Sequence, residues 1–272
     1  MERQYLDLMR RCLEASSVDS RNGKVRSVFG AFLTCDLAQG FPLLTTKQVW
    51  LRGVVEELAW FLRGSTNVVE LHKKKVRIWD GNTVDRQWDA GPVYGFQWRH
   101  YGATYTNCKA DYTGKGIDQI ENIIDLIRHN PLSRRIVLNA WNPKDQPQMC
   151  LPPCHVMYQF YVQHGKLSCL MTQRSADVFL GLPFNIASSA MLVHLLCNET
   201  GLEPGRLMVS VGNAHVYQVH EDVCREQLSR ELYPPPKLTI TRPKDGLWNV
   251  KWSDVELEHY ACHHKLLAPM VA

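Results

Sequence analysis

The sequence lacks an apolar run of the roughly 20 residues that a membrane-spanning helix needs. It also lacks internal repeats, low-complexity tracts and long linkers, so a single domain over residues 1–272 is the simplest interpretation. No secretory segment is visible at the start, where charged residues come at once. We therefore expect the nine cysteines to be reduced thiols and the protein to be cytoplasmic.

Several signatures of cofactor and metal chemistry are missing as well. The Gly-rich phosphate loop and the dinucleotide fingerprint do not occur, and the cysteines around position 154 do not have zinc-site spacing. These absences argue against an NTPase, an NAD-dependent enzyme and a metalloenzyme. The net charge of +4 is too small to predict a nucleic-acid partner, but it suits a small anionic substrate.

Hydrophobic periodicity predicts helices and strands that interleave along the chain. The predicted helices cover residues 5–15, 51–62, 117–129 and 184–200. The predicted strands cover residues 26–35, 135–142, 156–164, 167–174, 207–217 and 237–241. Because strands and helices do not alternate regularly, we expect an α+β fold in which helices flank a large mixed sheet.

A carboxylate falls inside the apolar stripe of one predicted helix. Glu57 lies between Val54 and Phe61 on that stripe, whereas Glu56 is expected to face solvent. Burying a carboxylate is costly unless the group is paired or takes part in chemistry. The sequence leaves two interpretations open, a catalytic Glu57 and a structural one that an arginine or a backbone group neutralises.

Cys154 is the candidate nucleophile. It follows Pro152 and Pro153 and precedes a β-rich run, and rigid presentation suits a group that must attack a substrate. For a lone cysteine, a buried structural thiol in a proline-rich turn is the commoner case. Neighbours on a strand face opposite ways, so we expect His155 to be structural and not the base for Cys154.

Other polar residues indicate a site for a phosphorylated ligand. Arginine binds phosphate through two hydrogen bonds. Two places in the sequence could provide such a contact, the Arg134–Arg135 pair and Arg174 with Ser175. Either pair, taken alone, is more often part of a surface salt bridge.

The residues that could face the rest of such a ligand also have alternatives. Asn185 is either the N-cap of the apolar helix or an amide that faces a ligand. His215 and Tyr217 share one face of a strand, where they either hold a sugar hydroxyl or face solvent.

Many segments of the chain resemble those of the thymidylate synthase family, in the family's order, from about Tyr5 to the C-terminus. They are FPLLTTK (41–47), EELAWF (56–61), RGSTN (63–67), IWD (78–80), GPVYGFQWR (91–99), LPPCH (151–155), QRSAD (173–177), LPFNIAS (182–188), HVY (215–217) and APM (268–270). Each motif is short, but this many in one order are highly specific. The resemblance implies a methyltransferase that converts dUMP into dTMP, with 5,10-methylenetetrahydrofolate as cosubstrate and no metal.

The resemblance also implies a role for each matching residue. Cys154 would be the nucleophile, assisted by Arg174, with Glu57 and Tyr94 handling protons. The nucleotide would be bound by Arg21, Arg174, Ser175, Asn185, His215 and Tyr217, and by Arg134 and Arg135 of the partner subunit in a homodimer formed through the sheet face. The folate site would be lined by Trp79, Asn82, Asp177, Leu180, Gly181 and Phe184, with the tail through Ala272 closing over it. Asn185 and Asp177 would also be catalytic.

Departures from the family pattern keep alternatives open. Asn213 stands where the family usually has aspartate, and Ser189 stands where it usually has tyrosine. Ala90 replaces a usual leucine and Gln48 a usual arginine. The loop after Arg21 is shorter by one residue. The smaller side chains could leave room for water, which would favour a dUMP hydroxymethylase of the same superfamily. A catalytically weak relative that binds nucleotide or RNA is a second alternative, and a cysteine hydrolase, which no motif supports, is a third.

Overall fold

A computed structural model describes residues 1–271 of the chain. The helices are α1 (Glu2–Glu14), α2 (Leu51–Leu62), α3 (Val68–Lys73), α4 (Asp80–Thr83), α5 (Tyr94–His100), α6 (Gln119–His129), α7 (Gly181–Thr200) and α8 (Glu221–Leu228). The strands are β1 (Ser17–Ser20), β2 (Gly23–Asp36), β3 (Val137–Asn139), β4 (His155–Gln163), β5 (Lys166–Asp177), β6 (Glu203–Tyr217), β7 (Lys237–Ile240) and β8 (Val255–Glu258). No helix among these residues is long and apolar enough to cross a membrane.

Six strands form one sheet in the order β1-β2-β6-β5-β4-β3. The β5–β6 pair is parallel and the other four pairs are antiparallel, so the predicted α+β fold with a mixed sheet is confirmed. His164 and Gly165 both have positive φ, 50° and 73°, as a two-residue hairpin between β4 and β5 requires. The last two strands, β7 and β8, form a separate antiparallel pair.

The helix ends follow local sequence signals. Helix α2 spans the predicted residues and is followed by Gly64 at φ 74°, the left-handed conformation that ends many helices. Helix α7 ends in the same way at Gly201, with φ 75°. Asp118 caps α6 by accepting a hydrogen bond from the Glu121 amide, which places the start of this helix two residues after the predicted one.

Helices α1 and α7 cover one face of the sheet and leave the other face partly exposed. On β2, Leu33 is 1% exposed on the covered face while its neighbour Phe32 is 59% exposed on the opposite one. On β6, Val209 is buried whereas Met208 is only half-buried. The uncovered face therefore carries apolar side chains that this chain alone does not bury.

The structure differs from three local expectations. Glu56 was expected to face solvent, but it is only 5% exposed, because α2 packs against both α5 and α7 and has little free surface. Asn185 was considered as an N-cap, but α7 begins four residues earlier, at Gly181, and contains it. The predicted strand over 135–142 is also shorter, since only Val137–Asn139 pairs with β4.

Candidate active site

A cavity of about 760 Å³ opens beside the carboxyl ends of β5 and β6, a volume typical of small-ligand sites. Most of the residues that the sequence nominated lie on its wall: Arg21, Glu57, Trp79, Asn82, Tyr94, Cys154, Arg174, Ser175, Asp177, Leu180, Gly181, Phe184, Asn185, His215 and Tyr217. Arg134 and Arg135 do not line it and lie instead on an exposed turn before β3. Ala272 lies outside the described residues.

The parallel pairing of β5 and β6 explains why so many polar residues meet here. Gln173, Ser175 and Asp177 alternate along the end of β5 and share one face. Ser175 is in register with Asn213, and Asp177 with His215, so the polar positions of the two strands lie side by side. The site is therefore a product of strand register as much as of residue type.

Backbone hydrogen bonds hold Cys154 at the start of β4. Its amide donates to the hydroxyl oxygen of Tyr94 at 2.7 Å, and its carbonyl accepts from the Arg174 amide at 2.8 Å. Burial raises the pKa of the Cys154 thiol above its ordinary value, and the positive charge of Arg174 acts in the opposite direction. Access to the thiolate therefore depends on the positive charge beside it.

The two prolines before Cys154 also hold that arginine. The guanidinium of Arg174 donates to the carbonyl oxygens of Pro153 at 2.8 Å and Pro152 at 2.9 Å, and its other face lies 5.4 Å from the ring of Trp141. Within residues 1–271, no carboxylate lies within 4.0 Å of Arg174. Its charge is therefore available both to the sulfur and to an anionic ligand.

Glu57 lines the cavity, and within residues 1–271 neither an arginine nor a backbone group bonds to its carboxylate. Its Oε1 accepts a hydrogen bond from the indole nitrogen of Trp79 at 2.7 Å. Burial raises the pKa of Glu57 to about 7, and the Trp79 bond lowers it only in part. A carboxyl group with this pKa can both donate and accept a proton near neutral pH.

Asn185 faces the cavity from the first turns of α7. Its Oδ1 accepts from Nε2 of Gln173 at 2.9 Å, which fixes the orientation of the amide. A carbonyl oxygen can accept a second hydrogen bond, and Nδ2 keeps its donors. Asn185 therefore presents one donor and one acceptor side by side.

His215 and Tyr217 meet on the wall as the alternation predicted, with ring centroids 5.1 Å apart. Nδ1 of His215 donates to Oδ1 of Asn213 at 3.0 Å. Burial lowers the pKa of His215, so the ring is mainly neutral and its Nε2 is an acceptor. The asparagine at position 213 thus supplies the same acceptor that an aspartate would.

The carboxylate of Asp177 lies where β5 turns into α7. Its Oδ1 accepts from the amides of Phe179 at 2.9 Å and Leu180 at 3.1 Å. Its Oδ2 makes no hydrogen bond within the described chain, although the residue lines the cavity together with Trp79 and Phe184. An acceptor bordered by aromatic rings is suited to a flat ligand that carries N–H groups.

Several wall residues were missed as site residues by the sequence reasoning, among them Asn22, Phe61, Ile78, Leu151, Gln173 and Val271. Gln173 had a usable signal, since it has the same period of two as Ser175 and Asp177. The apolar residues had none, because nothing local separates an aromatic core residue from one that lines a cavity. Among residues 1–271, no group of three His, Cys, Asp or Glu side chains is placed to hold a metal ion.

A family model described as thymidylate synthase matches residues 3–272. The chain belongs to the thymidylate synthase family. A human protein named thymidylate synthase is 46% identical over 275 residues, which cover 96% of this chain and 88% of the human one. A thymidylate synthase of human herpesvirus 8 is 46% identical over 275 residues, covering 96% of this chain and 82% of the viral one.

Longer relatives match as well. A bifunctional dihydrofolate reductase-thymidylate synthase from Paramecium tetraurelia is 49% identical over 278 residues, which cover 97% of this chain. The match spans only 60% of that relative's own length. The chain thus corresponds to less than two thirds of the bifunctional protein.

Proposed function

We propose that this chain is a methyltransferase that converts dUMP into dTMP, with 5,10-methylenetetrahydrofolate as cosubstrate and dihydrofolate as the second product. The observation that carries the proposal is that Cys154, Arg174 and Glu57 line the same cavity. A thiol, a cation and a carboxyl group that titrates near pH 7 are the groups that covalent activation of a pyrimidine needs.

Cys154 begins the reaction as the nucleophile. Its thiolate forms a bond to carbon 6 of uracil, and the electron pair of the carbon 5–carbon 6 double bond moves toward O4. Arg174 favours the thiolate over the thiol, since a nearby positive charge stabilises the anion. Carbon 5 thereby becomes the nucleophile of the next bond, and the thiolate is released when the product forms.

Glu57 and Tyr94 serve the proton transfers. Glu57 exchanges a proton with O4 through water and assists protonation of the folate, because its carboxyl group is present in both forms near pH 7. Burial raises the pKa of Tyr94, so its hydroxyl stays protonated. Tyr94 therefore orients a water that removes the proton from carbon 5 and does not act as a phenolate.

The residues on the Asp177 side of the cavity fit a reduced folate. Trp79 and Phe184 offer flat apolar surfaces, Asp177 keeps Oδ2 free for an N–H donor, and Asn82, Leu180 and Gly181 complete this wall. When bound there, the cosubstrate supplies the one-carbon unit and a hydride. Met270 and Val271 also line the cavity, and closure of this tail over the bound ligands would exclude water from them.

The nucleotide would lie beside the folate in the same cavity. Arg21, Arg174 and Ser175 hold the phosphate, and His215 with Tyr217 holds the 3′-hydroxyl of the sugar. Asn185 accepts from N3–H and donates to O4, so it selects uracil.

We further propose a cytoplasmic homodimer that shares its two sites. The exposed apolar face of the sheet, with Phe32 59% exposed, is a suitable contact surface. Arg134 and Arg135 lie on an exposed turn and would complete the phosphate site of the partner subunit. All nine cysteines, which lie in the described part of the chain, are unpaired, as suits a reducing compartment.

Subunit mixing tests the shared site. Arg134→Ala and Cys154→Ala homodimers should each be inactive, while mixed dimers should regain up to about a quarter to a half of the wild-type activity, because one site in each mixed dimer is intact. Exchange of subunits between dimers is checked separately, by mixing two Cys154→Ala preparations that carry tags of different length. Complete exchange without recovery would contradict the shared site.

A dUMP hydroxymethylase would share the steps up to departure of the folate. The reason to consider it was extra room left by Ala90 and Ser189, but neither residue lines the cavity. The Ser189 hydroxyl instead donates to the Asn185 carbonyl at 2.6 Å. The geometry therefore gives this alternative no support.

One assay decides between the two activities. Incubation with dUMP and 5,10-methylenetetrahydrofolate should give a nucleotide product 14 mass units heavier than dUMP, a shift set by the added CH₂, together with dihydrofolate. Cys154→Ala should bind dUMP but give no product. Formation of hydroxymethyl-dUMP with tetrahydrofolate would overturn the proposal, and so would unchanged turnover by Cys154→Ala.

A further inference from the structure

Tyr158 reaches the back of the active site from inside the core. Its hydroxyl oxygen lies 2.9 Å from Nδ1 of His155, and the two residues are 1% and 3% exposed. Residues three apart on a regular strand face opposite sides of the sheet. Here the register of β4 shifts between His155 and Met157, and this irregularity brings the two side chains to the same side.

The neighbouring hydrogen bonds determine which atom carries the proton. Ser189 donates its own proton to the Asn185 carbonyl oxygen at 2.6 Å, so at 3.4 Å from Tyr158 it has no proton left to give. The Tyr158 proton can go to Ser189 Oγ or to His155 Nδ1, and the latter is the closer acceptor. The distances therefore favour Tyr158 as the donor and His155 Nδ1 as the acceptor.

His155 connects this bond to the catalytic groups. Its ring stacks on Tyr94 with centroids 4.2 Å apart and planes inclined by 21°, and the Tyr94 hydroxyl oxygen accepts from the Cys154 amide. His155 also lines the cavity, where its Nε2 has no protein partner in residues 1–271. Burial lowers the pKa of His155 to about 3, so the ring is neutral and carries one proton.

We propose that Tyr158 is a positioning residue that fixes His155 in the tautomer with its proton on Nε2. The His155 ring then presents an N–H donor to the cavity beside Cys154. A neutral imidazole that accepts from Tyr158 at Nδ1 carries its proton on Nε2, and the stacked Tyr94 ring is held in place as well. The effect on catalysis rests on the proposed methyltransferase activity, whereas the tautomer itself does not.

The small side chain at position 189 is part of this arrangement. Ser189 is fully buried and its Oγ lies 3.4 Å from the Tyr158 hydroxyl, so a bulky residue there would displace the tyrosine ring. Ser189→Tyr is therefore expected to break the bond from Tyr158 to His155.

Nitrogen-15 NMR of histidine-labelled protein tests the tautomer without any turnover. The His155 signals, assigned by their loss in His155→Gln, should show a protonated Nε2 and an unprotonated Nδ1 in the wild type. Tyr158→Phe should give a mixture of the two tautomers. A wild-type ring protonated on Nδ1, or an unchanged tautomer in Tyr158→Phe, would overturn the proposal even if the chain proved to have no methyltransferase activity.

Kinetics separates positioning from simple loss of stability. Tyr158→Phe should lower kcat about fivefold, the change expected when one hydrogen bond is lost, while the Kd for dUMP stays within about twofold of the wild-type value. In a His155→Gln background the same change should have no further effect on kcat, because a glutamine amide has no tautomer to fix. Equal losses in both backgrounds would contradict the proposal. Tyr161→Phe, on the same strand but 53% exposed, is the control for loss of a hydroxyl.

Discussion

Nε2 of His220 donates a hydrogen bond to the carbonyl oxygen of Pro269, with 2.8 Å between the two atoms. A carbonyl can only accept, so the His220 proton is on Nε2. His220 is completely buried, and its Nδ1, which has no hydrogen-bond partner in the part of the chain that the structure describes, lies 3.8 Å from Oδ1 of Asp177. The imidazole thus connects the C-terminal tail to the wall proposed to bind folate.

Loss of this connection should weaken folate binding and leave nucleotide binding unchanged. In His220→Phe, the tail that carries Met270 and Val271 loses its attachment, and the KM for 5,10-methylenetetrahydrofolate should rise about fivefold. Steady-state kinetics measures this change, and calorimetry with dUMP alone should give the wild-type Kd. His220→Gln keeps an N–H donor and is the matched control. Equal KM values for the His220→Phe and His220→Gln variants would rule out a role for the hydrogen bond from His220 to Pro269.

Glu57 should make the protein less stable as pH rises toward 7. Its carboxyl group ionises near pH 4.5 in the unfolded chain but near pH 7 in the folded one, so in that interval unfolding releases a proton and the free energy of unfolding falls with pH.

The matched variant Glu57→Gln removes this penalty. It keeps an acceptor for Trp79 and should exceed the wild type in stability by about 3 kcal/mol at pH 8, with little difference at pH 4.5. Its kcat should fall at least about 100-fold. Urea unfolding at the two pH values measures the first effect, and a stability difference independent of pH would contradict the assignment.

Arg174 should control the reactivity of the Cys154 thiol. Without the guanidinium, burial alone acts on the thiol, and its pKa rises further above the ordinary value. In Arg174→Gln, alkylation of Cys154 by iodoacetamide near pH 8 should therefore slow about tenfold, with mass spectrometry of the 154 peptide as the readout. Arg174→Lys keeps a charge and should show a smaller effect. Equal alkylation rates in all three proteins would exclude this electrostatic role.

Asn185→Asp should change the choice of pyrimidine. The Gln173 amide can still donate to the new carboxyl group, and a carboxylate accepts from the amino group of dCMP while it repels O4 of dUMP. The ratio of kcat/KM for dCMP to that for dUMP should rise about 100-fold. Competition assays with both nucleotides measure this ratio, and an unchanged ratio would mean that Asn185 does not face the base.

The parts of this fold that the sequence predicts are those in which local pattern and tertiary packing agree. Helix α2 ends at its Gly64 signal, and the hairpin turns at His164 and Gly165. Where packing decides, local reasoning was insufficient. A helical wheel treats one side of α2 as free, but the burial of Glu56 comes from two neighbouring helices that periodicity does not reveal.

The candidate site shows the same division. Family motifs nominated Cys154, Glu57 and Asp177, and all three line the same cavity. No motif indicates that the Cys154 amide is bound by Tyr94, because that contact joins residues 60 apart. The bond from Tyr158 to His155 depends on a strand irregularity, and the sequence carries no clear signal for it.

The unit formed by β5, α7 and β6 has a consequence for the folding order. These elements are consecutive in the chain and adjacent in space, and they contribute Gln173, Asp177, Asn185 and His215 to the site. Contacts within so short a segment close small loops at low entropic cost, whereas Glu57 must be brought in over a long stretch of chain. The base- and sugar-binding half of the site is therefore encoded in one contiguous segment at the centre of the sheet, and its amides should be among the slowest to exchange with solvent deuterium.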